Sequence, residues 1–313
     1  MLAGAYWRLA VSTAGSQVAS VSVTLPRTGG LGLRAWRWGT VAPRFFFIHG
    51  LGEGSFVWNH IIPALLPLGS AVALDLRGHG DSARDPTGRY AISTHVADSV
   101  AVLQTLCAQP LILIGHSLGA EVIMHIAAAR PHHIRGAVLV DGGPQLDEVA
   151  TRHIRREFAQ QPWHYQSVDE YARHLHDKLP FCALPLLSDM APYALEADPA
   201  GGYRLKCDKA VASCTDQGDD RALWPLFRSI SCPMLVVRGA GSAVLPRHIA
   251  SRMVHENSRC SLETVPVAGH AVMLDNPQHF IDVLHGYART LCDDRVRPSG
   301  QDCVPRFVTR EGK

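Results

Sequence analysis

Six short runs, RFFFIHG (44–50), AVALDLRG (71–78), PLILIGHS (110–117), GAVLVDGG (136–143), PMLVVRGA (233–240) and SLETVPVAGH (261–270), are mostly apolar, and each ends in a glycine-bearing loop. A strand with one face in water alternates apolar and polar residues, whereas a strand covered on both faces is apolar throughout. The runs therefore predict a largely parallel sheet. Helical patterns lie between them, among them STHVADSVAVLQTLCAQ (93–109) and AEVIMHIAAARP (120–131). The core is thus an alternating βα chain with helices on both faces. Active sites of such sheets lie at the C-terminal ends of the strands.

The flanking segments read differently. Residues 1–16 form an N-terminal extension, and residues 17–40 give two alternating apolar runs around a glycine-rich turn, the pattern of a hairpin. From 144 to 231 charged amphipathic stretches such as TRHIRREFAQQ and SVDEYARHLHDKL appear without a buried-type strand. That segment is expected to be a helical cap, inserted after strand 6 between core segments 17–143 and 232–292. The polar tail 293–313 has little periodicity and is expected to fray.

Composition narrows the partners. The chain has 313 residues, 47% of them apolar and 19% charged, enough for one large core with an inserted subdomain. With a formal charge of +2 and no run of Lys and Arg longer than a pair, it has no footprint for nucleic acid or an anionic membrane, which leaves a small molecule as the expected partner. Eight cysteines without a CxxC pair or a secretory context point to reduced thiols. The N-terminus lacks a basic region before its short apolar stretch, Arg8 interrupts that stretch, and no run reaches the length of a membrane span. A soluble, cytoplasmic protein is expected.

Gly115-His116-Ser117-Leu118-Gly119 follows the strand PLILI and precedes a helical pattern, the context that a Gly-x-Ser-x-Gly nucleophile elbow requires. A sharp strand-to-helix turn holds the serine in a strained backbone and demands neighbours without bulk. The following helix aims its free N–H groups and positive dipole end at the charge that develops there. Ser117 is the expected nucleophile. His270, just past the last strand and at the same sheet end, is the expected base. His49-Gly50-Leu51-Gly52 ends the strand beside the elbow strand, so the N–H groups of Leu51 and Leu118 are the expected oxyanion hole. His174-x-His176 has no companion Cys or carboxylate cluster, and no metal site is expected there.

Together with Asp75-Leu76-Arg77-Gly78-His79-Gly80-Asp81-Ser82, Leu139-Val140-Asp141 and AGHAVMLDNP (268–277), these residues resemble the α/β-hydrolase family of the capped, fold-1 type over residues 17–292. The resemblance implies a mostly parallel central sheet flanked by helices, a serine hydrolase mechanism and no cofactor. It also implies that the turn from Asp75 to Ser82 is structural rather than catalytic. The motifs are specific for the fold and poorly specific for the substrate.

One element of that pattern is missing. The resemblance places the triad acid after the strand MLVVRGA, in a segment like RGxxSDVL, and here Arg238-Gly239-Ala240-Gly241-Ser242-Ala243-Val244-Leu245 carries Ala243 at that position. Asp141 ends the neighbouring strand, about 4.8 Å away, and preserves the order Ser, Asp, His. Some relatives, certain haloalkane dehalogenases among them, keep their acid there. Either Asp141 supplies the acid or Ser117 and His270 act as a dyad. Glu121, Glu263 and Asp275 are weaker candidates, Asp275 being expected to start the helix that follows it.

The favoured reading is hydrolysis of a small carboxylic ester, thioester or lactone through an acyl-enzyme. Carbon-carbon bond hydrolysis is the first alternative. A non-hydrolytic cyclase, lyase or ligand-binding protein is the second, given the gap at Ala243. Trp163, Tyr165, Tyr171, Phe181 and Trp224 are either pocket aromatics or cap core.

Overall fold

The computed structural model describes residues 9–13, 18–25, 31–107, 110–129, 131–213 and 223–292. Nine strands make one sheet: β1 (Leu9–Thr13), β2 (Val18–Leu25), β3 (Leu31–Trp38), β4 (Pro43–Ile48), β5 (Ser70–Leu74), β6 (Leu111–His116), β7 (Ile134–Val140), β11 (Met234–Gly239) and β12 (Cys260–Val265). Their spatial order is β1-β2-β3-β5-β4-β6-β7-β11-β12. The first three strands and the β3–β5 pair are antiparallel, and all pairs from β5 to β12 are parallel. The predicted hairpin is β2 and β3; its turn, residues 26–30, lies outside the described residues, as does the tail 293–313.

The apolar runs owe their continuity to the sheet being covered twice. Along β4, Phe45 and Phe47 enter one apolar cluster with α1 (Ile62–Leu65), α9 (Val272–Asp275) and α10 (Pro277–Cys292). Phe46 and Ile48 enter the opposite cluster with α2 (Ile92–Leu106), α3 (Leu118–Ala129), α7 (Leu223–Ser229) and α8 (Arg247–Glu256). From Phe45 to Ile48 every position of the strand is interior, so period-2 alternation disappears.

Three segments differ from expectation. Residues 1–16, expected as an extension, contain β1, which pairs with β2, so the insertion follows the seventh strand rather than the sixth. The insertion carries α4 (Glu148–Gln160), α5 (Val168–Lys178) and α6 (Leu184–Ala194), but also a small antiparallel sheet of β8 (His164–Tyr165), β9 (Leu195–Ala197) and β10 (Tyr203–Leu205). Strands of two or three residues are too short to leave a periodic signal. Finally, α7, counted within the cap, packs Trp224 and Phe227 into the same cluster as α3 and α8. Trp224 is core rather than a pocket aromatic: its indole N–H donates to Gln145 Oε1 at 3.0 Å and its ring lies under the Arg252 guanidinium. Two helices of the insertion carry side-chain caps: Asp147 accepts from Ala150 N–H at the start of α4, and Ser167 from Glu170 N–H at the start of α5.

The turn after β5 is held by charge buried at its base. Arg77 is 1% exposed, and its Nε and Nη2 donate to the two Asp98 oxygens at 2.8 Å while Nη1 donates to Asp85 at 2.6 Å. Asp75 accepts from Ser55 N–H at 2.6 Å and Asp81 N–H at 3.0 Å, which closes the turn on itself. Removing one partner of such a buried set strands the others' charge. Arg77→Met is therefore expected to lower unfolding free energy by about 3–5 kcal/mol in urea titrations; a loss below about 1 kcal/mol would show that the two aspartates do not depend on it.

Candidate active site

β4 and β6 are neighbours, with Ile48 opposite Gly115, and the chain leaves β4 to opposite sides to form β5 and β6. The loops after β4 and β6 thus meet at the switch point of the sheet, where a crevice opens. Ser117 stands there at φ 51°, a left-handed conformation costly for a residue with a Cβ. Its N–H donates to Val140 O at 3.0 Å, and α3 starts at the next residue, Leu118. Both elbow glycines are demanded by space. A Cβ on Gly115 would lie 2.3 Å from Gly119 O, and one on Gly119 would lie 2.4 Å from Ile48 O. Leu51 follows Gly50 on the adjoining strand end, and Gly52 takes φ 77° to turn the chain back. As the first residue of α3, Leu118 has no helical carbonyl to receive its N–H.

Asp141 and His270 come together. Asp141 follows β7 at φ 44°, is wholly buried, and places Oδ2 2.7 Å from Nδ1 of His270. Since β7 pairs with both β6 and β11, Asp141 lies between the elbow and the loop where the acid was expected. Among the described residues neither Nε2 of His270 nor Oγ of Ser117 makes a hydrogen bond, and the His270 side chain is 22% exposed.

The loop without an acid has become a cradle for one. Arg238, nearly buried, donates from Nε to Leu245 O at 2.7 Å, from Nη1 to Ala240 O at 3.2 Å and from Nη2 to Ser242 O at 2.9 Å, wrapping the loop around its guanidinium. Ala243 faces outward, and the inward residue is Ser242, whose hydroxyl donates to Asp141 Oδ2 at 2.5 Å. Gly239 N–H donates to Asp141 Oδ1 at 3.2 Å. Asp141 therefore has a backbone N–H, a hydroxyl and an imidazole arranged about its carboxylate.

Sequence reasoning missed Ser242, and it missed the pair Glu53 and His116. Glu53 Oε2 accepts from Gly50 N–H at 2.7 Å and lies 2.9 Å from His116 Nδ1, while His116 Nε2 lies 2.9 Å from the carbonyl oxygen of His270. The one available signal was the carboxylate three residues beyond Gly50.

The weaker acid candidates are elsewhere. Glu121 is in the first turn of α3 and Glu263 is mid-strand in β12. Asp275 does not start the final helix: Asn276 Oδ1 accepts from His279 N–H, while Asp275 accepts from Gly269 N–H at 2.8 Å and so steadies the loop before His270. His174 and His176 are not joined in a cluster; His176 Nδ1 bonds to Cys182 O, and among the described residues no group of three or more His, Cys, Asp or Glu is arranged to hold a metal. Among the described residues no helix is long and apolar enough to cross a membrane. Tyr165 and Tyr171 pack against each other inside the insertion, Trp163 meets Phe158 edge-on, and Phe181 is 48% exposed.

The chain is similar to known proteins over most of its length. The profile of a family described as "Alpha/beta hydrolase family" matches residues 45–283. A 2-(acetamidomethylene)succinate hydrolase of Mesorhizobium japonicum is 26% identical over 239 residues, covering 75% of this chain and 84% of that protein. An esterase of Mycobacterium tuberculosis is 27% identical over 271 residues, covering 82% and 87%. The crystal structure of an E-2-(acetamidomethylene)succinate hydrolase superposes with a TM-score of 0.78 at 22% identity, covering 91% of this chain and all of the other, a likeness of fold.

Three histidines whose rings pack in series, His49, His79 and His95, are fully buried. His49 accepts Leu76 N–H on Nε2 and so donates from Nδ1 to Gly50 O, which fixes the turn that carries Leu51. Burial lowers their pKa values from 6.5 to about 4, 3 and 3. Below pH 6.5 the unfolded chain takes up protons that the folded chain refuses, so the stability these neutral rings permit is complete above that value and lost as pH falls toward 4 and 3. The urea midpoint is expected to drop steadily between about pH 6.5 and 4. A midpoint that stays level over that interval would mean the three rings are protonated in the folded protein.

Proposed function

The chain belongs to the alpha/beta hydrolase family and is an enzyme of it, and from that premise we propose that it cleaves a small carboxylic ester, thioester or lactone through an acyl-enzyme on Ser117. The observation that carries the reading is the 2.7 Å contact between Asp141 Oδ2 and His270 Nδ1, one strand away from the vacant position at Ala243. In the first half-reaction Ser117 Oγ attacks the acyl carbon while His270 Nε2 takes its proton. Asp141 holds the proton on Nδ1, so the lone pair faces the serine, and its charge offsets the imidazolium that forms. The N–H groups of Leu51 and Leu118 receive the oxyanion. His270 then protonates the leaving oxygen or sulfur. A water deprotonated by His270 attacks the ester, and collapse returns Ser117 and the free acid. The groups named and one water balance every proton, so the chemistry calls for no metal or organic cofactor.

The insertion is proposed as the cap that selects the acyl group. Phe158 of α4 closes on the oxyanion turn, since a Cβ on Gly52 would lie 2.4 Å from its ring. Half-exposed Phe181 sits against Gly241 and Gly269, beside the loops of Ser242 and His270. A second reading, favoured by the relative named for 2-(acetamidomethylene)succinate, is that the same three residues act on an acetamido-bearing dicarboxylate. A panel of short and long acyl esters, thioesters, lactones and such dicarboxylates separates the two.

Wild-type protein is expected to be labelled by a fluorophosphonate, and Ser117→Ala to lose both labelling and turnover. Unlabelled wild type that still binds a ligand tightly would favour a receptor. Asp141→Asn is expected to lower kcat by about four orders of magnitude with folding retained, because the amide no longer fixes the imidazole tautomer. Should Asp141→Asn be harmless while Ala243→Asp raises the rate, Ser117 and His270 work as a dyad.

A further inference from the structure

His116 occupies the middle of the elbow's first half, beside Ser117, and the mechanism above gives it no task. Its side chain is 3% exposed, its ring centroid is 4.7 Å from that of His270, and both of its nitrogens face oxygens. The oxygen opposite Nε2 is a peptide carbonyl, which only accepts, so Nε2 carries a proton. The oxygen opposite Nδ1 is Glu53 Oε2, the same atom that accepts Gly50 N–H. An ionised carboxylate oxygen accepts both bonds, which puts a proton on Nδ1 as well.

We propose that His116 is a standing imidazolium, paired with the Glu53 carboxylate, and that the pair is a positioning device locking the oxyanion turn, the elbow and the His270 loop into one unit. This rests on the roles given above to Leu51, Ser117 and His270. Gly50 precedes the oxyanion donor, His116 precedes the nucleophile, and the carbonyl held by His116 belongs to the base itself. One salt bridge therefore fixes the backbone at all three places. Misplacing such groups by about 1 Å costs about 10²-fold in rate.

The surrounding charges favour this state. Facing His116 are Glu53 and His49 from the β4 end, Asp141 from the β7 end, His270 from the β12 loop and Asp275 from α9. Burial alone disfavours the imidazolium, yet the charge and hydrogen bond of Glu53, the His270 carbonyl and the Asp141 charge hold the His116 pKa above its ordinary value. Burial likewise pushes Glu53 up, and His116 overrides it, leaving the carboxyl at about 2. The two adjacent imidazoles thus divide their duties: His270 has a single carboxylate at Nδ1 and an open Nε2, whereas His116 has acceptors on both sides and keeps both protons.

Glu53→Gln tests the charge at nearly constant shape. The amide oxygen still accepts Gly50 N–H, but a neutral His116 has one N–H for two acceptors, so one link opens unless low pH restores the second proton. With p-nitrophenyl butyrate the variant is expected to lose about 10- to 100-fold in kcat relative to wild type at pH 8, with KM changed less than about threefold, and to close that gap to wild type at the same pH as pH is lowered toward 6. Long-range 1H–15N spectra of unliganded wild type at pH 8 are expected to show one doubly protonated imidazole that vanishes in His116→Asn. A singly protonated His116 in wild type, or wild-type kcat for Glu53→Gln across pH 6–9, overturns the proposal. Fluorophosphonate labelling separates the two levels: wild type that stays unlabelled sinks the acyl-enzyme reading, while the protonation state of His116 is decided by the spectra alone.

Discussion

Parallel pairing of β4, β6, β7 and β11 is the constraint on which the rest of the structure depends. It brings four strand ends side by side: the Gly50–Leu51 turn after β4, Ser117 after β6, Asp141 after β7 and the Arg238 loop at β11. Because adjacent parallel strands are about 4.8 Å apart, groups at neighbouring ends are within reach of one side chain plus a hydrogen bond. The close approach of Gly119 to the Ile48 and His49 carbonyls sets the same requirement from the other direction. A side chain at Gly119 would push α3 away from β4, and one at Gly115 would push it away from β6, in either case carrying Leu118 with it.

That spacing is why the acid position can be vacant at Ala243 without leaving His270 alone. A carboxylate on β7 and one on β11 approach the same imidazole from adjoining strands. In this chain the β11 loop gives its space to Ser242, and Arg238 stiffens it by binding three carbonyls. The loop now orients a carboxylate instead of supplying one. Asp141 has φ 44° and Ser117 φ 51°, so both carry backbone strain at the crevice, held by the sheet beneath them.

Buried charge is handled in the same manner at each level. Arg77 is matched by Asp85 and Asp98, Glu53 by His116, and Asp141 by donors on three sides. Arg77 joins two side chains 8 and 21 positions away, His116 holds the His270 carbonyl and Asp141 accepts the Gly239 N–H, so each ties together separate segments and fixes geometry more than it adds stability. The neutral trio of His49, His79 and His95 is the counterpart, a chain of packed imidazoles kept uncharged by burial, with His49 on the Gly50 carbonyl.

The sheet, its parallel character and the elbow were legible in the chain because each is a local pattern: a run of apolar residues or a glycine spacing. Hidden from sequence were β8, β9 and β10, too short to be periodic, and the membership of α7 in the core, since an amphipathic helix does not say which surface it covers. Sequence left Asp141 open between two roles and gave no part to Ser242, Glu53 or His116. Only the tertiary structure could settle their contacts, because Asp141 meets Ser242 across 101 positions and His270 across 129, and His116 meets His270 across 154. Local patterns determine which strands exist, and the pairing of strands far apart in the chain decides which side chains share a crevice.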